Sequence, residues 1–125
     1  MTATQLPSPI RQGLDEVLQA TEALIDAARA EDAWAVHVAL RRRTESIERL
    51  EPSVARFRAE LGRSGERQLR IDGARIAERA AVAGASLDRM RQQAREELAR
   101  LAQGGAAARS YGDDPSSTRV LDRSG

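Results

Sequence analysis

Apolar residues recur at three- and four-residue spacing along most of the chain. In the first stretch Ile10, Leu14, Val17, Thr21, Leu24 and Ala28 fall on one face, and Leu18 and Ile25 widen it, the pattern of an amphipathic helix. Ser8 is placed to cap that helix with Pro9 at its first position, where a missing N–H costs nothing, which predicts a helix over 8–30. Asp32 is the next capping residue. The seam behind it is Ala33, Val36, Leu40, Arg43, Ile47, Leu50, Val54, Phe57 and Leu61, predicting a second helix over 32–61. Pro52 lies inside it, but the seam keeps its phase across the proline, so a kinked rod is expected there. "LGRSGER" then reads as a turn, with Gly62 suited to a left-handed cap and Ser64 to a new N-cap. The third seam is Leu69, Gly73, Ile76, Ala80, Ala83, Leu87, Met90, Ala94, Leu98 and Leu101. It predicts a helix over 65–103 that frays around the Asp72-Gly73 pair and stops at Gly104-Gly105.

Short connections force each helix back along its predecessor, so the expected fold is all-α: an antiparallel, coiled-coil-like three-helix bundle over 8–103. Residues 1–7 are expected to be disordered and 104–125 to form a flexible C-terminal tail. The third helix outruns the first, so one of its ends should be poorly covered. The first helix carries Asp15, Glu16, Glu22 and Asp26 against Arg11 and Arg29, whereas the third has more arginines than acids. Their flanks should attract.

Composition sharpens this picture. Leu, Ile, Val and Phe make up only about a fifth of the 125 residues, close to the range of disordered chains, but the net charge is only +1 and that signature also requires a high one. Long helices with an Ala-rich seam and surface ion pairs fit better, with low stability in isolation. Cysteine is absent, which removes disulfides and thiolate metal sites. "MTATQLPSPIRQG" lacks the charged start and apolar core of a signal peptide, and no apolar run approaches a membrane span. A soluble cytoplasmic chain without membrane insertion is expected.

Candidate chemistry is sparse. His37 has no second histidine to share a metal, and no nucleophile or phosphate-binding loop accompanies it, so neither an enzyme nor a cofactor is expected. Arg41 to Arg43 are interleaved with acids and read as a solvated face, with the Arg43 stem laid over the seam; no nucleic-acid partner is expected. Trp34 reads as a core or helix-end aromatic. Asp113 and Asp114 are turn residues before Pro115. Tyr111 lies beyond the last helical pattern, and the apolar pair Val120-Leu121, flanked by Arg119 and Arg123, reads as a contact element that orders on a partner or folds back on the bundle.

The "AEDAW" start of the second helix, the "RTESIERLE" run at 43–51, the long Ala/Arg/Leu third helix and a tail of the form Y-G-x-D…L-D-R-x-G together resemble the FlgN/FliT-type flagellar export chaperones. The resemblance spans most of the chain. It departs from the family at Pro52 and in the short segment before the first helix. It implies a cytoplasmic protein of the flagellar type III secretion system that binds the C-terminal helix of a hook-associated or filament-cap protein and keeps it unpolymerised. The same resemblance implies delivery of that client to the export gate's cytoplasmic domain. Carried onto this chain, it implies a client groove along Ala83, Leu87, Met90, Ala94, Leu98 and Leu101, gate docking through Tyr111, and a tail contact at Val120 and Leu121. A structural coiled-coil adaptor or homodimeric scaffold is the competing expectation.

Overall fold

A computed structural model describes the backbone of residues 6–111 and side chains as far as 105. The protein is all-α: α1 spans Ser8–Arg29 and α2 spans Ala33–Tyr111. The chain divides into two units, Met1–Met90 and Arg91–Gly125, and the hydrophobic core lies in the first.

The start of α1 departs from the expected cap. Pro7 is the N-cap residue, no side chain caps the helix, and the Pro7 carbonyl accepts from the N–H groups of Ile10 and Arg11, both at 3.0 Å. Ser8 and Pro9 thus occupy the first two helical positions. Leu6, directly before the Pro7 cap, is buried beside Ile10 and Leu14, which anchors the chain ahead of Ser8 and favours this shift.

The connection between α1 and α2 is built from three residues. Asp32 N–H donates to Ala27 O at 3.0 Å and Glu31 N–H to Ala28 O at 3.1 Å, the paired bonds that close a helix through a left-handed residue. That residue is Glu31, at φ 56°. Asp32 completes this cap and opens α2, its Oδ1 accepting from Ala35 N–H at 3.0 Å and its carbonyl from Val36 N–H at 2.9 Å.

Along α2 only Gly62 leaves helical geometry, with φ 62° and ψ −171°. This region is open to glycine and to essentially no other residue. Arg58 and Glu66 then pair through two bonds, Nε–Oε1 at 3.0 Å and Nη2–Oε2 at 3.4 Å. In an unbroken helix eight residues rise about 12 Å, too far for that pair, so the break at Gly62 turns the backbone. Pro52, by contrast, is exposed and leaves helical geometry intact, because solvent can reach the carbonyl that its missing N–H would have bonded.

Two apolar clusters fasten α1 to α2 on both sides of Gly62. Near the start of α1, Leu6, Ile10 and Leu14 pack with Leu61 and are covered by Leu50, Val54, Phe57, Leu69 and Ile76. Near its end, Leu24 and Ile25 pack with Ala39 and Ala83, covered by Val36, Val82 and Leu87. The α2 seam before Gly62 is close to the expected one but rotated at two places. Ala39 is buried where Leu40 was expected, leaving Leu40 exposed, and Ser46 is buried with Ile47 only half-covered. Small residues there permit close approach; at the other end Gly13 plays this part, since a Cβ on it would lie 2.8 Å from Leu50 Cδ1.

Three polar residues sit inside this packing. Thr21 is fully buried, donates to Val17 O at 2.8 Å and accepts from Arg43 Nε at 3.0 Å. Arg43 therefore belongs to the seam, as its spacing predicts. Buried Ser46 donates to Arg42 O at 2.8 Å. Among the described residues no buried side-chain nitrogen or oxygen lacks a partner, the condition a polar seam must meet to be stable.

Candidate functional site

The residues expected to form one client groove are divided by the structure. Ala83 is buried against Leu24, Ile25 and Ala39, and Leu87 packs on the same cluster, so the chain's own core takes up both. Their replacement in the seam is physical: α1 reaches far enough along α2 to cover them. Met90 is half-buried, while Ala94, Leu98 and Leu101 are exposed, the leucines at 66% and 63%.

Every residue from 91 to 104 is exposed. A helical segment of this kind draws its stability from propensity and from neighbours one turn apart, here Gln92 with Glu96 at 3.4 Å and Arg100 with Glu97, each worth a few tenths of a kcal/mol. Ala94, Leu98 and Leu101 lie four and three residues apart and share one face. Covering both leucines would stabilise a complex by about 1–2 kcal/mol each. The helix also continues through Gly104-Gly105 to Tyr111, past the expected stop, consistent with the three alanines, Ala106 to Ala108, that follow the glycines. Tyr111 is its last residue. The Tyr111 side chain, Val120 and Leu121 lie outside the described residues.

Trp34 is not the core or helix-end aromatic that its position suggested. It is 73% exposed, with its ring centroid 5.5 Å from that of His37, and Val38, one turn on, is 46% exposed. With the core-facing positions filled by Val36, Ala39 and Arg43, Trp34 falls on the opposite side of the helix.

On the other side of the core, a groove of about 530 Å³ runs between α1 and the part of α2 after Gly62. Leu14, Leu18 and Ile76 line it, flanked by Arg11 and Asp15 on α1 and by Asp72 and Arg75 on α2. The periodic pattern could not reveal this groove, because a stripe shows which face is apolar and not how far a neighbour covers it.

The expected attraction between the α1 and later α2 flanks is realised at Glu22 and Arg79, joined at 2.5 Å and 2.9 Å through two parallel bonds. The hydrogen bond from Arg79 holds the Glu22 carboxyl below its ordinary value of 4.5 and raises the guanidinium in return. Among the described residues no three His, Cys, Asp or Glu side chains gather as a metal would require, and no helix is long and apolar enough to cross a membrane. Compared with protein-family models, with curated proteins and with solved structures, the chain matches none.

Proposed function

We propose that the protein is a flagellar type III export chaperone whose bundle carries a client-binding helix. In this reading α1 and the two parts of α2 on either side of Gly62 form an antiparallel three-helix bundle, and residues beyond the bundle serve binding. The observation that supports it is the exposed Ala94, Leu98 and Leu101 face on a helix with no core of its own. Such a face suits the amphipathic C-terminal helix of a hook-associated or filament-cap protein, which would lay its own apolar stripe along it. Met90, polarisable and flexible, extends the surface and adapts it to more than one client. Because Ala83 and Leu87 are already committed to the core, the client surface begins at Met90.

Delivery to the export gate's cytoplasmic domain is assigned to Tyr111, an aromatic with a polar handle at the end of α2, and secondarily to Val120 and Leu121. The cytoplasm is the compartment this role requires. The test is thermal unfolding with and without synthetic C-terminal helices of hook-associated and cap proteins. A client that binds only the folded state adds about 2.7 kcal/mol at a hundredfold excess over its dissociation constant. Leu98→Glu should remove that shift and keep the helicity, since the residue is exposed. Melting curves unmoved by every such peptide would reject the reading. The exposed Trp34 and Val38 favour the second reading, a coiled-coil adaptor, in which that face rather than residues 90–101 holds the partner; Trp34→Ala would then abolish capture where Leu98→Glu would not.

A further inference from the structure

The turn at Gly62 is made without a loop. Residues on both sides of it are helical, and Gly62 alone departs, at φ 62° and ψ −171°. Gly65 shares in the turn: a Cβ on it would lie 2.8 Å from Leu61 Cβ, whereas residues four apart on a regular helix keep theirs about 5–6 Å apart. The turn therefore requires two glycines that a straight helix would not need. We propose that α2 straightens through Gly62 and that two copies of the chain exchange the segment after it, each laying its residues 63–90 on the other's α1 and first part of α2.

The partner follows from contacts the chain already makes with itself. Glu22 holds Arg79 through two parallel bonds, and Leu24, Ile25 and Ala39 pack with Ala83. These contacts join the two sides of the turn, and a second copy supplies the same side chains, which makes exchange of an identical element a low-cost route to a dimer. A very short hinge invites it. A straight α2 also keeps one seam, because Phe57, Leu61, Gly65 and Leu69 follow at four-residue steps within the width of an amphipathic stripe. What straightening gives up lies at the turn itself: the exposed Arg58–Glu66 pair, of little worth in solvent, and contacts of Leu61. In return the backbone closes the helical bonds that a break leaves open. Every residue involved lies within Met1–Met90. The proposal needs no client and stands apart from the chaperone reading.

The test refolds the full chain from urea at low and high concentration and follows its mass by sedimentation velocity. Dilute refolding should give the folded-back monomer and concentrated refolding the dimer, since mass action favours exchange. Gly62→Ala with Gly65→Ala penalises the turn alone and should tighten the dimer by about tenfold or more. Gly73→Ala, with open space around the added carbon and helical backbone in both forms, should leave it unchanged. Exchange itself is read by cross-linking. The chain has no cysteine, so a Glu22→Cys chain and an Arg79→Cys chain carry one each; they are refolded together at high concentration and treated with a short bismaleimide. Cross-linked heterodimers should form, and none when the two chains are refolded separately and then mixed. A native chain that stays monomeric at every concentration would overturn the proposal. So would a dimer without the 22–79 cross-link, because the segment after Gly62 would then have stayed on its own chain. Both cross-linked chains keep Gly62 and Gly65, so this result is decisive even if the double alanine variant does not fold.

Discussion

Gly62→Ala should lower stability, although alanine is the better helix former and the site is exposed. The native backbone there stands at φ 62°, ψ −171°, where a side chain costs of order 1–3 kcal/mol. A Cβ placed on Gly62 meets no atom within 4 Å, so packing adds nothing and the effect is one of backbone strain alone. Against it stands the lower entropy of an alanine in the unfolded chain, about 0.4–1 kcal/mol in favour of folding, leaving a net loss of about 1–2 kcal/mol. Gly73→Ala is the matched control. It too has open space around the added carbon, but its backbone is helical, so the change should stabilise by about 0.5–1 kcal/mol. Urea unfolding monitored by circular dichroism gives both values, with the thermal midpoint moving by about 4–8 °C per kcal/mol for a domain of this size. If the strained chain relieves itself by straightening α2 through position 62, the Arg58–Glu66 pair and the Leu61 contacts are lost together. A larger hydrodynamic radius would report it. Equal stabilisation by Gly62→Ala and Gly73→Ala would refute the reasoning, for it would mean that the helix passes through position 62 without a turn.

Other outcomes follow from single contacts. Glu31→Gly should stabilise by about 0.5 kcal/mol, since relief of a left-handed non-glycine residue, worth about 1–2 kcal/mol, exceeds the entropy that glycine adds to the unfolded chain; an unchanged urea midpoint would contradict it. Thr21→Val leaves the Arg43 Nε without its acceptor and should cost about 1–3 kcal/mol, but much less in an Arg43→Met background, a coupling read from a double-mutant cycle. Glu22 is held below 4.5 by Arg79, so its contribution is present above that value and is lost as pH falls through the lowered one. Glu22→Gln should therefore flatten the acid side of the curve of melting temperature against pH and leave its alkaline side alone.

The helical faces were legible in the sequence because spacing alone determines them. Thr21 and Arg43 fall in the seams at the expected phase despite their polarity, and Asp32 caps α2. Where two adjacent positions both suit a seam, the periodic pattern does not choose. Ala39 and Ser46 win over Leu40 and Ile47 because close helix approach favours small residues, a property of the neighbour and invisible in the stripe. Coverage was equally hidden: Ala83 and Leu98 have the same standing in the pattern, yet one is buried and the other is 66% exposed. Trp34 was misplaced for a related reason. An aromatic suggests burial on composition, but its position one side of Val36 and Ala39 already puts it on the outer face.

The polar members of the seam bear on how a core this thin holds one register. Beside the large apolar side chains of the two clusters, much of the buried surface is alanine, at Ala20, Ala27, Ala28, Ala39 and Ala83, and such small residues discriminate only weakly against a slip of one helical turn. The Thr21 hydroxyl and the Arg43 guanidinium behave differently. In the native register Arg43 Nε donates to Thr21 Oγ1 at 3.0 Å, and any slip leaves that half-buried donor unmet at a cost of about 1–3 kcal/mol, while the Thr21 hydroxyl keeps its bond to Val17 O within α1. The Glu22–Arg79 pair makes the same selection between α1 and the later part of α2, and Arg49 with Glu16 at 3.3 Å adds a weaker vote. Apolar burial therefore drives the helices together, while these few polar pairs decide where along each other they stop. An apolar substitute such as Thr21→Val with Arg43→Met can match the native chain in stability and still lose the uniqueness of its packing.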